Sequence, residues 1–140
     1  MPRVTADTSD TQARLHSDAF NVLVEAGAVV SLRYTNDTHD TDYILAGARF
    51  GDLAIRYRSG DGPWQSVATA DLAAKHRFRV TTEGRASRTT WTSEAAQGEG
   101  LSLTTEFALE GDALLWTIGL GNAGSVMAVI FAGRVTPITR

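Results

Sequence analysis

The sequence has no cysteine, one lysine and only three prolines among its 140 residues. Without cysteine, the chain cannot form disulfides, thiolate metal sites, iron–sulfur clusters or a cysteine nucleophile. The 13 basic residues are all arginine except Lys75, they form no basic run, and the formal net charge is −3. This charge pattern excludes the usual nucleic-acid binders, so we expect no nucleic-acid partner.

Long hydrophobic runs are also absent. No segment approaches the ~20 apolar residues of a membrane-spanning helix, and the first ten residues lack the apolar core of a signal peptide. We therefore expect no membrane partner, and the compartment stays open between a cytoplasmic protein and a piece of a longer secreted one. Residues 1–18 are rich in Thr, Ser and Asp, which predicts a mobile leader.

Alternation of apolar and polar residues dominates from Phe20 onward and indicates β-strands. Ala26-Gly27 is typical of a hairpin turn, and Ser59–Pro63 of another. Only Ala70–Lys75 suits a helical turn. We predict an all-β fold over residues 19–140: a two-sheet antiparallel β-sandwich with eight or nine strands and at most one short helical turn. The last apolar run, Val126–Phe131, is either buried on both faces or a strand that needs a partner.

One loop concentrates carboxylates, namely Asp37, Asp40 and Asp42 after Asn36. Such oxygens can bind Ca²⁺, but the loop lacks the glycine and the final glutamate of an EF-hand. Asp and Asn side chains in such a loop commonly cap their own backbone turns instead. We therefore assign no metal.

Catalytic motifs are missing: the sequence has no nucleophile elbow, no phosphate-binding loop and no dinucleotide fingerprint. His16, His39 and His76 share no motif. We assign no catalytic residue and no cofactor.

The three tryptophans fall into two groups. Trp116 lies on an apolar strand face and is predicted to be core. Trp64 follows a turn and Trp91 lies among threonines and arginines, so each either stacks on a sugar ring or closes an end of the sandwich. Tyr43 and the three aspartates of the loop complete the candidate carbohydrate-binding set.

An ordered series of motifs resembles a known family. The matching segments are Gly27–Leu32, Asn36-Asp37, Asp40–Leu45, Gly51–Leu53, Tyr57–Trp64 and Leu109–Ile118. Together they resemble the N-terminal β-sandwich, of galactose-mutarotase-like or supersandwich type, of large secreted bacterial proteins that continue into a six-hairpin, (α/α)-barrel glycosidase-like domain. The resemblance spans residues 20 to 122.

This resemblance implies a non-catalytic module of a carbohydrate-active protein. Such a module packs on a catalytic (α/α)-barrel and can contact glycan, and the family is secreted. The barrel that would hold the catalytic acids is absent from these 140 residues, so no catalytic residue is carried over. After Asn122 the family pattern fades, which suggests a domain truncated at its C-terminal end.

Two alternatives stay open. One is a small standalone sugar enzyme of mutarotase or epimerase type, which needs a histidine and a carboxylate to converge on one sheet face, for example His76 with Glu94 or Glu106. The other is a structural assembly domain that associates with itself through its last strand, because an unpaired apolar strand favours association.

Overall fold

The structure is a computed structural model and describes residues 11–36, 38, 39 and 41–132. These residues form ten strands and two short helices. In chain order the elements are β1 (Gln12–His16), β2 (Phe20–Glu25), β3 (Ala28–Tyr34), β4 (Leu53–Arg58), β5 (Gln65–Ala68), α1 (Thr69–Ala74), β6 (Phe78–Glu83), β7 (Ala86–Trp91), α2 (Glu94–Gly98), β8 (Leu101–Glu110), β9 (Ala113–Asn122) and β10 (Met127–Ala132).

The strands build a two-layer antiparallel sandwich, as predicted. One layer is a four-stranded sheet in the order β6-β7-β8-β9. Two three-stranded sheets, β1-β2-β3 and β10-β4-β5, pack against its inner face. The second layer is thus divided into two sheets. An isolated β-bridge between Val29 and Phe50 links β3 to the segment that precedes β4. The strand alternation seen in the sequence buries one face of each sheet in this arrangement.

Strand β8 contributes buried residues to both hydrophobic clusters of the core, because its inner face spans both sheets of the opposite layer. Leu101 and Leu103 pack on the sheet containing β4, whereas Phe107 and Leu109 pack on the sheet containing β2. Trp116 touches both clusters. A ten-residue strand is long enough to cover two sheets that are each built from shorter strands.

A polar network joins the two parts of the divided layer. The Arg49 guanidinium donates to both carboxylate oxygens of Asp52, at 2.8 Å each, and to the Ala26 carbonyl at 3.0 Å. Thr69 Oγ1 donates to Asp52 Oδ1 at 3.1 Å and accepts from the Leu53 backbone N–H at 2.9 Å. The hairpin turn after β2 is therefore tied to the start of β4 and to α1.

Three sequence expectations need correction. Gln12–His16, predicted to belong to a mobile leader, is strand β1, because Ala13 and Leu15 alternate into the core beside Val24 and Val22. This raises the strand count to ten; residues 1–10 lie outside the described part.

The second helix, α2, was not predicted, since only Ala70–Lys75 was expected to form a helical turn. Ser93 Oγ accepts from the Ala96 N–H and caps the helix. Trp116, predicted as core, is only half-buried, because β9 is an edge strand of its sheet.

Candidate functional site

Asp42 anchors the carboxylate-rich loop to the edge of β3. Its carboxylate accepts hydrogen bonds from the Ser31 hydroxyl at 2.6 Å and from the backbone N–H groups of Leu32 and Ile44 at 3.0 Å. The guanidinium of Arg33 lies 3.6 Å away. Desolvation alone would raise the pKa of this carboxyl, but these hydrogen bonds and the charge of Arg33 outweigh it, so the pKa of Asp42 lies below its ordinary value.

Asp42, a member of the candidate carbohydrate-binding set, therefore has a structural role in positioning Tyr43. The Tyr43 N–H donates to the Leu32 carbonyl at 2.9 Å, so Asp42 and Tyr43 together satisfy both backbone groups of Leu32 at the sheet edge. Asp37 and Asp40, the other two aspartates of the candidate set, lie outside the described residues.

Tyr43 makes an exposed aromatic cluster with the end of β3. Its ring meets the Tyr34 ring edge-on, with centroids 5.5 Å apart and planes at 82°. Tyr34 in turn stacks on Phe20, at 5.3 Å and 21°. Tyr34 and Tyr43 are 51% and 54% exposed, so neither ring belongs to the core. We call these two residues the tyrosine pair.

A hollow of about 310 Å³ opens beside the tyrosine pair. Tyr34, Asn36, Asp18 and Ala19 line it. Two hydrogen bonds join the segment after β3 to the segment between β1 and β2 at this hollow. Thr35 Oγ1 donates to the Ser17 carbonyl at 2.8 Å, and the Thr35 N–H donates to the Ala19 carbonyl at 2.9 Å. An aromatic ring, a carboxylate and an amide therefore border one shallow, open hollow.

Trp64, a candidate from the sequence, lies on the outer face of the β10-β4-β5 sheet. It is 38% exposed, and the guanidinium groups of Arg58 and Arg56 lie 4.8 and 5.2 Å from its ring centroid. Such contacts are favourable cation–π interactions. The Trp64 ring is thus already engaged by cations, and it lies on a different sheet from the tyrosine pair.

Trp91 belongs to the core, so its inclusion among the candidate glycan contacts was wrong. It is 3% exposed, and its indole Nε1–H donates to Thr105 Oγ1 at 2.9 Å. The surrounding threonines and arginines misled the prediction because they alternate to both sheet faces. Thr89 is buried with Trp91 on the inner face, while Arg88 and Thr90 lie outside.

The three residues given as an example for a mutarotase reaction each contact a different neighbour. The His76 ring packs on Phe78 with centroids 4.9 Å apart, Glu94 is 3.7 Å from Arg77, and Glu106 is 3.4 Å from Arg88.

Within the described ranges, no group of three or more His, Asp or Glu side chains could hold a metal ion. The same part of the chain contains no helix that could span a membrane.

Sequence reasoning missed Tyr34 and the hollow beside it. Tyr34 lies on the same face of β3 as Leu32, so alternation alone does not indicate that its ring is exposed. The available signal was its place as the last strand residue before the polar loop, where the sandwich ends and the ring is no longer covered.

No protein-family model, no curated protein and no solved structure matches this chain. The resemblance to the sandwich domains of six-hairpin proteins therefore depends on the motifs quoted above, and it stays a prediction.

Proposed function

We propose that the chain is a non-catalytic carbohydrate-binding β-sandwich module of a carbohydrate-active protein, with the tyrosine pair as its stacking surface. The observation that carries the proposal is the exposure of two touching tyrosine rings beside a polar hollow. Aromatic rings offer flat apolar area to the C–H face of a sugar, and neighbouring carboxylate and amide groups bind its hydroxyls.

Contacts with neighbouring parts of the chain hold both members of the tyrosine pair in place. Asp42, the residue before Tyr43, accepts two hydrogen bonds from β3 and one from Ile44 in its own loop, and Phe20 stacks on Tyr34. A binding surface that is held in place loses little conformational entropy when the ligand binds. The hollow, at about 310 Å³, is at the lower end of small-ligand sites.

The test is substitution of each tyrosine. We expect Tyr34→Ala and Tyr43→Ala to weaken binding to a responsive polysaccharide by about tenfold or more, because each removes a ring that the sugar would cover. Affinity gel electrophoresis over a panel of neutral and acidic polysaccharides finds the ligand, and isothermal titration calorimetry measures the affinity.

Two matched variants control the result. Tyr43→Phe keeps the ring and is expected to keep most of the affinity, while Trp64→Ala removes an exposed ring from a different sheet and is expected to leave the affinity unchanged. Full affinity in both alanine variants would contradict the proposal, as would a silent panel.

We also propose that the module packs on an (α/α)-barrel domain through the side of the sandwich bounded by β9. Supporting this, Phe50 is 39% exposed, and the inward-facing side chains of β9 (Leu114, Trp116, Ile118 and Leu120) are only half-buried. The test is whether the coding region downstream, in any frame, or an adjacent gene encodes such a barrel. Co-purification of the two parts is expected, and the lack of any barrel would count against packing.

A second candidate function is self-association through β10. This strand is at the edge of its sheet, and Met127 and Val129 on its outer face are 57% and 41% exposed. Light scattering coupled to size-exclusion chromatography is expected to show a dimer that Val129→Lys dissociates. A monomer at high protein concentration would exclude this candidate.

A further inference from the structure

A second hollow, of about 380 Å³, lies on the outer face of the β1-β2-β3 sheet. This is the opposite side of the sheet from Tyr34. Its lining includes five polar side chains, which we call the polar face: Arg14, His16, Asn21, Ser31 and Arg33.

Strand register brings these side chains together. Asn21 of β2 lies between His16 of β1 and Arg33 of β3, and in the next row Leu23 lies between Arg14 and Ser31. Because directly paired residues share a face of the sheet, the five polar side chains surround an aliphatic centre at Leu23.

Arg14 and His16, the two residues that β1 contributes to the polar face, differ in their contacts. His16 Nδ1 is hydrogen-bonded to Asn21 Oδ1. Arg14 is exposed and has no ion-pair or hydrogen-bond partner anywhere in the described part of the chain.

Among the residues that the structure describes, the carboxylates of Asp42 and Glu25 lie near the hollow, but neither lines it. Asp42 accepts from Ser31, Leu32 and Ile44, and it lies 3.6 Å from Arg33. Glu25 is in the row beyond Leu23, paired with Gln12. The charged groups of the lining itself are thus two arginines, with a histidine beside them.

We propose that the polar face binds an anionic sugar unit, one that carries a carboxylate or a sulfate, so that the natural ligand of the module is an acidic glycan. The planar guanidinium group of arginine matches the oxygens of either anion in a paired fashion. Leu23 provides an apolar floor for the sugar C–H groups, and Asn21 and Ser31 can bind hydroxyls. The proposal rests on the proposed function in taking the ligand to be a glycan.

The experiment compares three probes on the full chain: an oligogalacturonate, a sulfated oligosaccharide and a neutral oligosaccharide of the same length. Calorimetry measures each affinity, and amide chemical shifts of ¹⁵N-labelled protein locate the binding surface. We expect one of the acidic probes to bind more tightly than the neutral one and to shift the amides of β1 and β2; which acidic probe binds identifies the anion.

The variant is Arg14→Gln, with Arg79→Gln as its control. Both remove one exposed arginine from an outer sheet face, but Arg79 is on β6, in the opposite layer. Arg14→Gln is expected to weaken acidic binding by about tenfold, the usual scale for loss of a charge-assisted hydrogen bond. Arg79→Gln is expected to leave acidic binding unchanged.

Failure of this inference can be told from failure of the proposed function. If a neutral probe binds in a Tyr43-dependent way and neither acidic probe binds more tightly, the polar face is not a sugar site although the tyrosine pair is. If acidic binding depends on Arg14 but not on Tyr34 or Tyr43, the polar face is the site and the tyrosine pair is not. Equal loss in Arg14→Gln and Arg79→Gln would overturn the inference as an effect of net charge.

Discussion

The indole Nε1–H of Trp91 donates a hydrogen bond of 2.9 Å to Thr105 Oγ1 inside the sandwich. The two residues lie on neighbouring strands, β7 and β8, and both are almost fully buried. A buried indole N–H without a partner would carry the cost of its lost hydration. Thr105 removes that cost, which explains why a polar residue interrupts the leucine-rich inner face of β8.

Loss of this hydrogen bond should destabilise the fold measurably. Thr105→Val keeps the shape of the side chain but leaves the indole N–H unpaired, so we expect the free energy of unfolding to fall by about 1–3 kcal/mol. Urea denaturation measures it, with the exposed Thr90→Val as the control. In a double-mutant cycle, Thr105→Val should cost much less in a Trp91→Phe background; additive effects would show that the bond contributes nothing.

Gly27 should tolerate replacement much less well than the turn glycine Gly84. Its φ is +84°, and a Cβ there would lie 2.2 Å from Cζ2 of Trp91. We expect Gly27→Ala to cost about 1–2 kcal/mol for the left-handed backbone and about 1–3 kcal/mol more for overpacking. Gly84 has a φ of +62° but nothing within 4 Å of such a Cβ, so Gly84→Ala should carry only the backbone cost. Equal thermal shifts for the two variants would disprove the role of Trp91.

The stability of the fold should depend on pH through Asp42. Because its pKa is lower in the folded chain than the ordinary value, the carboxylate stabilises the fold above pH ~4 and loses that effect as the pH falls through the folded pKa. Asp42→Asn should therefore destabilise the protein at pH 6 and approach the parent as the pH falls below ~4. Asp61→Asn, in the exposed turn before β5, is the control. A destabilisation of Asp42→Asn that is constant from pH 6 to pH 3 would contradict this explanation.

Thr69 should be required for the junction between the two parts of the divided layer. It is fully buried, and its hydroxyl connects Asp52 with the Leu53 backbone. Thr69→Val leaves the Leu53 N–H and one Asp52 contact unsatisfied, at an expected cost of about 1–3 kcal/mol. Thr69→Ser keeps the hydroxyl and is expected to recover much of it. If Thr69→Ser is as destabilised as Thr69→Val in chemical denaturation, packing of the methyl group matters and the hydrogen bonds do not.

Most of the sandwich could be predicted because its signals are local. Alternation on β8 and β9 and the glycine turn at Gly27 each determine backbone conformation over a few residues. The segment around β1 escaped prediction because it has only two inward apolar residues, Ala13 and Leu15. Its strand conformation depends on pairing with β2, which is a non-local contact.

The candidate site was predictable only in part. Tyr43 was named from the sequence, and its exposure agrees with a surface role. Its partner Tyr34 and the structural role of Asp42 were not foreseen, because both depend on the loop folding back on β3. Trp64 and Trp91 looked alike in sequence, yet one lies at a sheet surface and the other in the core.

The sequence by itself determined the class of fold, the positions of the turns and the absence of thiol chemistry, since these follow from residue type and short-range periodicity. Only the tertiary structure decided which aromatic rings are covered and which polar side chains meet. Register places His16, Asn21 and Arg33 in one row, and layer packing buries Trp91 while leaving Tyr34 exposed. Both outcomes arise from contacts between residues far apart in the chain, which no local pattern encodes.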